Sequence, residues 1–344
     1  ERFVVELFHG PTLSFKDFGA RTMARLMDGY LAEEGQRLTI LVATSGDTGS
    51  AVADGFAGLD NLRVVLLYPK GMVSDVQERQ LTAARPGLRS LRVRGTFDDC
   101  QRIVKEAFVD PKLSGLPLSS ANSINIGRLL PQQLYYIWAA AQLSRLRPNA
   151  DAPVISVPSG NLGNLTAGML AASAGLPVSR FLAAHNANDY FPRYLSKEAS
   201  PFDFGGTVAT ISNAMDVGAP SNFERLHAMF GSDLPRQAWG VGIDDEATRR
   251  RMLTTFEEDD YIACPHTSVG LEAVERYRAS TGDESPALIL ATAHPAKFPG
   301  IVREILGQHP PGSTRLDGLL ELPSKVEELS PGHNALRDLL LAWD

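Results

Sequence analysis

The sequence has few of the features that mark secreted, membrane or nucleic-acid-binding proteins. Its 344 residues include only two cysteines, Cys100 and Cys264, which suit a reducing compartment and provide no disulfide or zinc framework. No apolar run approaches a membrane span, and no signal-peptide pattern opens the chain. The net charge of −7 includes no basic block, and the seven histidines show no metal-ligand spacing. We therefore predict a cytoplasmic protein that binds no metal ion, nucleic acid or membrane.

Apolar runs alternate with helical patterns along almost the whole chain. This alternation predicts an α/β fold with a largely parallel sheet. The predicted strands are Leu38–Ala43, Leu62–Tyr68, Leu88–Val93, Val154–Val157, Phe181–Ala184 and Ala287–Ala291. The predicted helices are Asp17–Glu34, Thr48–Phe56, Val73–Ala83, Phe97–Phe108, Ile126–Leu146, Leu165–Ser173, Asp245–Glu258 and Val269–Ser280.

A polar, proline-bounded stretch at residues 147–153 separates a long predicted helix from a strand. The chain is long enough for about two domains. We therefore predict a smaller α/β domain over residues 1–147 and a larger one over residues 148–344. A second break at residues 310–313 precedes a charged tail with a helical pattern.

One lysine lies where α/β enzymes usually place their chemistry. The apolar run from Phe3 to Phe8 ends in a turn, and Lys16 follows between two phenylalanines at the start of a helical pattern. Apolar surroundings would favour the neutral amine of this lysine, which is a nucleophile. The plainer interpretation is a solvated lysine whose stem lies on a helix start, and this stretch alone favours it.

Three later strand-to-helix junctions are rich in small and polar residues: 43–50 (ATSGDTGS), 120–128 (SANSINIGR) and 157–165 (VPSGNLGNL). Small residues allow a ligand close to the backbone, and a helix N-terminus suits an anion. Arg128, with amide and hydroxyl neighbours, suits a phosphate. The third loop is neither a Walker A loop nor the dinucleotide fingerprint. Each loop alone could equally be an ordinary helix start, capped in the first loop by Asp47 or Thr48.

Together these blocks resemble one enzyme family. The sequence HGPT at 9–12 followed by SFKD at 14–17 resembles the cofactor-lysine motif of threonine synthases of the bacterial and fungal type. The three junctions and residues 291–298 (ATAHPAKF) are similar to further family blocks, so the resemblance covers roughly residues 4 to 300. It implies a pyridoxal-phosphate (PLP) enzyme of fold type II, with two open, largely parallel twisted sheets flanked by helices and an active site in the cleft between domains. Relatives carry an N-terminal segment before the lysine motif, which we expect to be absent from this sequence, either because the chain was trimmed or as a natural departure.

The resemblance also implies roles for individual residues. Lys16 would bind the cofactor covalently and act as the catalytic base. The other cofactor contacts would come from Asp47, Gly160, Asn161, Leu162, Gly163, Asn164 and Thr292. The substrate carboxylate would be bound by Thr44, Ser45 and Thr48, and the substrate phosphate by Asn122, Ser123 and Arg128. Residues 212–218 are similar to a stretch of the family to which we assign no role.

Two positions raise chemical questions. An ionised Asp47 can only accept hydrogen bonds, as can a phenolate on the cofactor, so the two groups share a proton or Asp47 turns away to cap a helix. Cys264 stands where the family usually has an aspartate before Pro-His-Thr, which puts any role of that carboxylate in doubt. Nearby His266 is the kind of lone histidine that is more often structural than catalytic.

The resemblance predicts threonine synthase activity, a carbon–oxygen lyase reaction of threonine biosynthesis. O-phospho-L-homoserine and water would give L-threonine and phosphate. One alternative is a phospho-lyase that releases 2-oxobutyrate from the same substrate. Another is a threonine or serine dehydratase, whose substrate carries no phosphate and which would not need Arg128 in a phosphate site. A non-catalytic protein on the same fold is a fourth possibility, although Lys16 and the loop 160–164 are intact. We expect a monomer or homodimer.

Overall fold

The computed structural model describes residues 1–44 and 46–343. Its strands are β1 (Arg2–Glu6), β2 (Leu38–Ala43), β3 (Leu62–Pro69), β4 (Leu88–Val93), β5 (Leu118–Ser119), β6 (Val154–Pro158), β7 (Arg180–His185), β8 (Ala238–Gly242), β9 (Ala287–Ala291) and β10 (Glu327–Leu329). Its helices are α1 (Lys16–Glu34), α2 (Asp47–Phe56), α3 (Asp75–Thr82), α4 (Phe97–Val109), α5 (Ile126–Leu129), α6 (Gln133–Leu146), α7 (Gly163–Ser173), α8 (Tyr190–Leu195), α9 (Phe223–Phe230), α10 (Leu234–Gln237), α11 (Asp245–Asp259), α12 (Pro265–Thr281), α13 (Pro299–Leu306), α14 (Thr314–Leu320) and α15 (His333–Leu341).

Two compact units make up the chain, each built on a five-stranded parallel sheet. Unit 1 contains Glu1–His9 and Leu129–Pro311, with strand order β1-β9-β6-β7-β8. Unit 2 contains Gly10–Arg128 and Gly312–Asp344, with strand order β10-β4-β3-β2-β5. The predicted α/β class and parallel sheets are confirmed.

The sheet of unit 2 is buried on both faces, as parallel sheets normally are. Side chains alternate along β2, so Ile40 and Val42 join one apolar cluster while Leu41 and Ala43 join the other. The first cluster includes side chains of α1 and α2. The second includes side chains of α4 and α15, such as Ile103 and Leu336. The helices on both sides thereby hold the carboxyl end of β2 in place, where the polar junction at residues 43–50 begins.

In unit 1, α12 packs on the sheet and covers its central strands. Leu271 and Val274 of this helix share an apolar cluster with Leu182 of β7 and Ile289 of β9. Gly270 allows the close approach, because a Cβ there would lie 3.1 Å from the Pro158 ring and 3.3 Å from Ile289. This packing holds the carboxyl ends of β6 and β9, which lead into the loops that carry Gly160 and Thr292.

The division of the chain differs from the predicted boundary at residue 147. β1 pairs in parallel with β9, so the N-terminal strand belongs with the later part of the chain. Glu327–Leu329 pairs with β4, which returns the C-terminal tail to unit 2. The tail therefore contains a strand that the helical pattern did not predict. Such pairings join distant segments, and local hydrophobic periodicity carries no information about them.

The predicted helix over residues 126–146 is interrupted. It consists of α5, a 3₁₀ turn at Leu130–Gln132 and α6. Pro131 lies in the turn, and a proline has no backbone N–H with which to continue an α-helix. The short strands β5, β8 and β10 are also absent from the prediction. None of the described helices is long and apolar enough to cross a membrane.

Candidate active site

Lys16 is the first residue of α1 and most of its side chain is buried, with 16% exposed. Its Nζ lies 3.8 Å from the Asp47 carboxylate and 5.0 Å from the centre of the Phe15 ring. Because Lys16 is mostly buried and lies beside a carboxylate, it differs from the solvated lysine of the plainer interpretation. The geometry fits an amine that is held in one place and exchanges protons at Nζ.

The turn before Lys16 is held by its neighbour Asp17. The Asp17 carboxylate is buried and accepts hydrogen bonds from the Thr12 backbone N–H (2.9 Å) and the Thr12 hydroxyl (2.6 Å). Gly10 leaves room for it, because a Cβ there would lie 2.2 Å from the carboxylate. The HGPT and SFKD motifs are thus the two sides of one turn, and this explains their spacing.

Asp47 is the first residue of α2 and does not occupy the cap position, which belongs to Gly46. The side-chain acceptor at this helix start is the Thr44 hydroxyl, which receives the backbone N–H groups of Gly46 (3.0 Å) and Gly49 (2.8 Å). The Asp47 carboxylate is buried and accepts from the Gln77 side-chain amide at 3.0 Å. It therefore faces Lys16 and Gln77, so the helix-cap alternative for Asp47 is wrong.

The junction at residues 120–128 lies beside the one at residues 43–50. Asn122 donates from its side chain to the Ala43 carbonyl at 2.9 Å, which fastens the loop after β5 to the end of β2. Thr48 and Ser123 are half-buried, and Ser45 lies outside the described residues. Arg128 is fully buried, and its guanidinium donates to the Ala121 carbonyl. Unit 2 thus brings together Lys16, Thr44, Asp47, Asn122 and the Arg128 loop.

The glycine-rich loop of unit 1 runs from β6 into α7. Leu162 adopts a left-handed conformation (φ 60°) just before the helix starts at Gly163. Gly160 passes close to a neighbouring segment, since a Cβ there would lie 2.9 Å from Met215 Cα. Asn161 is held by Ser221, which donates to its side-chain oxygen at 3.2 Å, and by Asn222, which donates to its carbonyl at 3.0 Å.

Asn164 gives this loop a buried donor that suits an anion. Its side-chain oxygen accepts from the hydroxyls of Tyr135 (2.6 Å) and Tyr136 (2.7 Å) on α6. Its Nδ2 is buried and has no hydrogen-bond partner. Buried donors are normally satisfied, so an unpartnered one at a helix N-terminus fits an anionic ligand. The loop therefore fits the phosphate of the predicted cofactor.

Thr292 lies directly after β9 and is 5% exposed. His294 caps the following turn by accepting the Ala296 N–H at 3.0 Å, and burial lowers the pKa of His294, which keeps the ring a neutral acceptor. His266 accepts the Ala214 N–H at 3.2 Å, so each of these histidines holds a backbone N–H of a neighbouring turn. Lys297, two residues after Pro295, is completely buried.

Within residues 212–218, Asp216 connects this stretch to Thr210 and to Asn186, the residue that follows β7. The Asp216 carboxylate accepts from the Asn186 side-chain amide (2.7 Å) and from the Thr210 hydroxyl (2.7 Å) and N–H (3.0 Å). Burial raises the pKa of Asp216 to about 6. This network and Gln77 both escaped prediction from sequence, although the Ser-x-x-Gln spacing at residues 74–77 is a capping-box pattern that marks the start of α3.

No group of three or more potential metal-ligating side chains occurs in the ranges that the structure describes. The lysine, the polar loops and the anion-suited helix start are those of a PLP enzyme of fold type II. Two family models agree. "Pyridoxal-phosphate dependent enzyme" matches residues 3–293, and "Threonine synthase, C-terminal" matches residues 267–340, which extends the likeness beyond residue 300.

Individual relatives indicate which family of PLP enzymes the chain resembles. The chain is 46% identical to threonine synthase of Serratia marcescens over 98% of this chain and 77% of that protein. The crystal structure of threonine synthase from Escherichia coli superposes with a TM-score of 0.89, at 42% identity, over 100% of this chain and 78% of that one. A PLP-bound threonine synthase from Brucella melitensis gives 0.87, at 34% identity, over 98% and 78%. The chain belongs to the threonine synthase family of PLP-dependent lyases, as predicted.

Proposed function

We propose that this chain converts O-phospho-L-homoserine and water to L-threonine and phosphate, with the residue roles given below. The buried pair of Lys16 and Asp47, with Nζ 3.8 Å from the carboxylate, carries the proposal. Each turnover removes and returns protons at adjacent substrate carbons, and one positioned amine can serve both positions. When bound, PLP supplies an electron sink for the charge left at each carbon.

The two anionic groups of the substrate are assigned to unit 2. Thr44, Ser45 and Thr48 at the start of α2 are proposed to bind the α-carboxylate, where helix N–H groups favour an anion. Asn122, Ser123 and Arg128 are proposed to bind the phosphate. The burial of Arg128 strengthens any charge-assisted hydrogen bond that its guanidinium makes, because water does not compete for the same donors.

The cofactor is assigned to Lys16, to the loop Gly160, Asn161, Leu162, Gly163 and Asn164, and to Thr292. The free Asn164 Nδ2 and the N-terminus of α7 would hold its phosphate. The Thr292 hydroxyl would face its ring nitrogen. A neutral hydroxyl favours a protonated ring less than a carboxylate would, which disfavours transamination.

Product analysis tests the proposal. The purified protein with PLP is incubated with O-phospho-L-homoserine, and threonine, 2-oxobutyrate and phosphate are quantified. Threonine and phosphate in equal amounts support the proposal, whereas 2-oxobutyrate with ammonia indicates the phospho-lyase. Lys16→Ala is the control and should abolish turnover. Threonine from Lys16→Ala at the wild-type rate would remove Lys16 from the mechanism.

A cytoplasmic monomer or homodimer remains part of the proposal. Sedimentation equilibrium of the PLP-bound protein distinguishes the two assembly states, and a larger assembly would contradict both.

A further inference from the structure

Gln77 is a buried residue of α3 with no role in the reaction as proposed above. It is 0% exposed, and its side-chain oxygen accepts the Ser74 backbone N–H at 3.0 Å in the capping box of α3. Because the oxygen is used in this way, the amide nitrogen must point in the other direction. It donates to Asp47 Oδ1 at 3.0 Å. The orientation of the Gln77 amide is thus dictated by the helix start itself.

The other oxygen of Asp47 is the one that faces Lys16. Asp47 Oδ2 lies 3.8 Å from Lys16 Nζ, while Oδ1 receives the Gln77 amide. Gln77 therefore fixes the rotation of the carboxylate relative to the amine. The loop is shaped around this contact, because a Cβ on Gly46 would lie 2.6–2.7 Å from atoms of the Gln77 amide. Gly46 also has a φ of 131°, which L side chains rarely adopt.

The same face of α3 contacts the segment that precedes Lys16. Gln80 follows Gln77 by three residues, so both lie on one face of the helix. Gln80 is also buried and donates to the Thr12 carbonyl at 3.1 Å, next to the turn that Asp17 holds. Two glutamines of one short helix are therefore directed at the surroundings of a single lysine.

We propose that Gln77 is a positioning residue for the reaction, which holds the Asp47 carboxylate in the rotation that faces Lys16 Nζ. The inference rests on the proposed role of Lys16. Gln77 is proposed to act on the lysine through Asp47, to which its amide donates. Its two bonds give it two separable functions, a cap for α3 and an anchor for Asp47.

Three variants separate these functions. Gln77→Glu keeps an oxygen that can accept the Ser74 N–H, but it loses the donor to Asp47. Ser74→Ala is the matched control, because it removes the hydroxyl of the capping box and keeps the backbone N–H that orients Gln77. Gln77→Met removes both amide bonds without adding a charge, and it replaces Gln77→Glu if two facing carboxylates prevent folding.

The readouts are kcat and KM for O-phospho-L-homoserine, the absorbance spectrum of bound PLP, and the thermal midpoint. Loss of a hydrogen bond to a charged group corresponds to a fall in kcat of roughly tenfold to 150-fold. We expect this fall in Gln77→Glu and Gln77→Met, with KM within about threefold of wild type and a shifted cofactor band. Ser74→Ala should show a lower thermal midpoint with the wild-type band and kcat.

Two results would overturn the inference. One is a wild-type kcat and spectrum in folded Gln77→Glu or Gln77→Met, which would leave Gln77 as a helix cap only. The other is a loss of kcat in Ser74→Ala as large as in the Gln77 variants, which would make the effect one of stability. Failure of the proposed function is recognised separately, because wild type would then form no threonine while the spectra could still be compared.

Discussion

Asn164→Asp is the sharpest test of the cofactor-phosphate loop. The substitution keeps the shape of the side chain and an oxygen that can accept from the Tyr135 and Tyr136 hydroxyls, which lie 2.6 and 2.7 Å from Oδ1. It replaces only Nδ2, the buried donor without a partner, by a second oxygen. The packing around residue 164 should therefore be preserved while the proposed phosphate donor is lost.

The expected loss of affinity follows from this exchange. A hydrogen bond to a charged group contributes about 1.5–3 kcal/mol, and 1.4 kcal/mol corresponds to tenfold. Losing the donor alone should raise the Kd for PLP about tenfold to 150-fold. A carboxylate facing a phosphate adds repulsion, of the order of 4 kcal/mol for two unit charges ~4 Å apart at an effective dielectric constant of 20. The Kd should therefore rise at least tenfold.

Titration of cofactor-free protein with PLP, followed by tryptophan fluorescence, gives the Kd. Tyr136→Phe is the control, because it removes one hydroxyl donor to Asn164 and leaves Nδ2 in place; its Kd should change much less. The thermal midpoint of each cofactor-free variant shows whether the fold is intact. A folded Asn164→Asp protein with the wild-type Kd would refute the assignment of Nδ2 to the phosphate.

Three further predictions concern other parts of the molecule. Arg128→Ala should lower kcat/KM for O-phospho-L-homoserine by roughly 30-fold to several thousand-fold, because truncating one partner of a buried charged pair costs ~2–5 kcal/mol. The Kd for PLP should stay near wild type; a raised Kd for PLP with a normal kcat/KM would mean that the sites assigned to the substrate phosphate and the cofactor phosphate are interchanged. Cys264 caps α12 by accepting the Thr267 N–H at a long 3.5 Å, and an aspartate is a stronger cap, so Cys264→Asp should raise the free energy of unfolding in urea by about 1 kcal/mol. Equal or lower stability would show that the cost of burying the carboxylate outweighs the better cap. Because the pKa of Asp216 rises from 3.8 in the unfolded chain to about 6 on folding, the folded state binds this proton more tightly, and the contribution of Asp216 to the free energy of unfolding should fall as pH rises from about 4 to about 6. Urea unfolding of wild type and Asp216→Asn at several pH values should show this fall in wild type only. An identical pH dependence in the two proteins would contradict the prediction.

Much of the fold was predictable because it is local. Buried parallel strands are short, continuous apolar runs bounded by turn residues, and β2, β4 and β9 have the predicted bounds. The helices α1, α2, α4 and α11 differ from prediction by one residue at an end, which is within the usual uncertainty of helix boundaries. The lysine motif and the polar loops are also contiguous stretches, so the sequence sufficed to assign the family and the cofactor, both of which the relatives confirm.

Tertiary structure decided what depends on residues that are distant in the chain. The pairing of β1 with β9 and of β10 with β4 determined which segments belong to each unit. The hydrophobic periodicity of β1 or β10 does not indicate the strand with which it pairs. Asp47 could have capped its helix or faced the lysine, and the buried amide of Gln77 from the following helix determined which. An unpaired buried acceptor or donor is costly, so these side chains adopt whichever rotation the packed neighbours can satisfy, and the neighbours are known only once the sheets and helices have assembled.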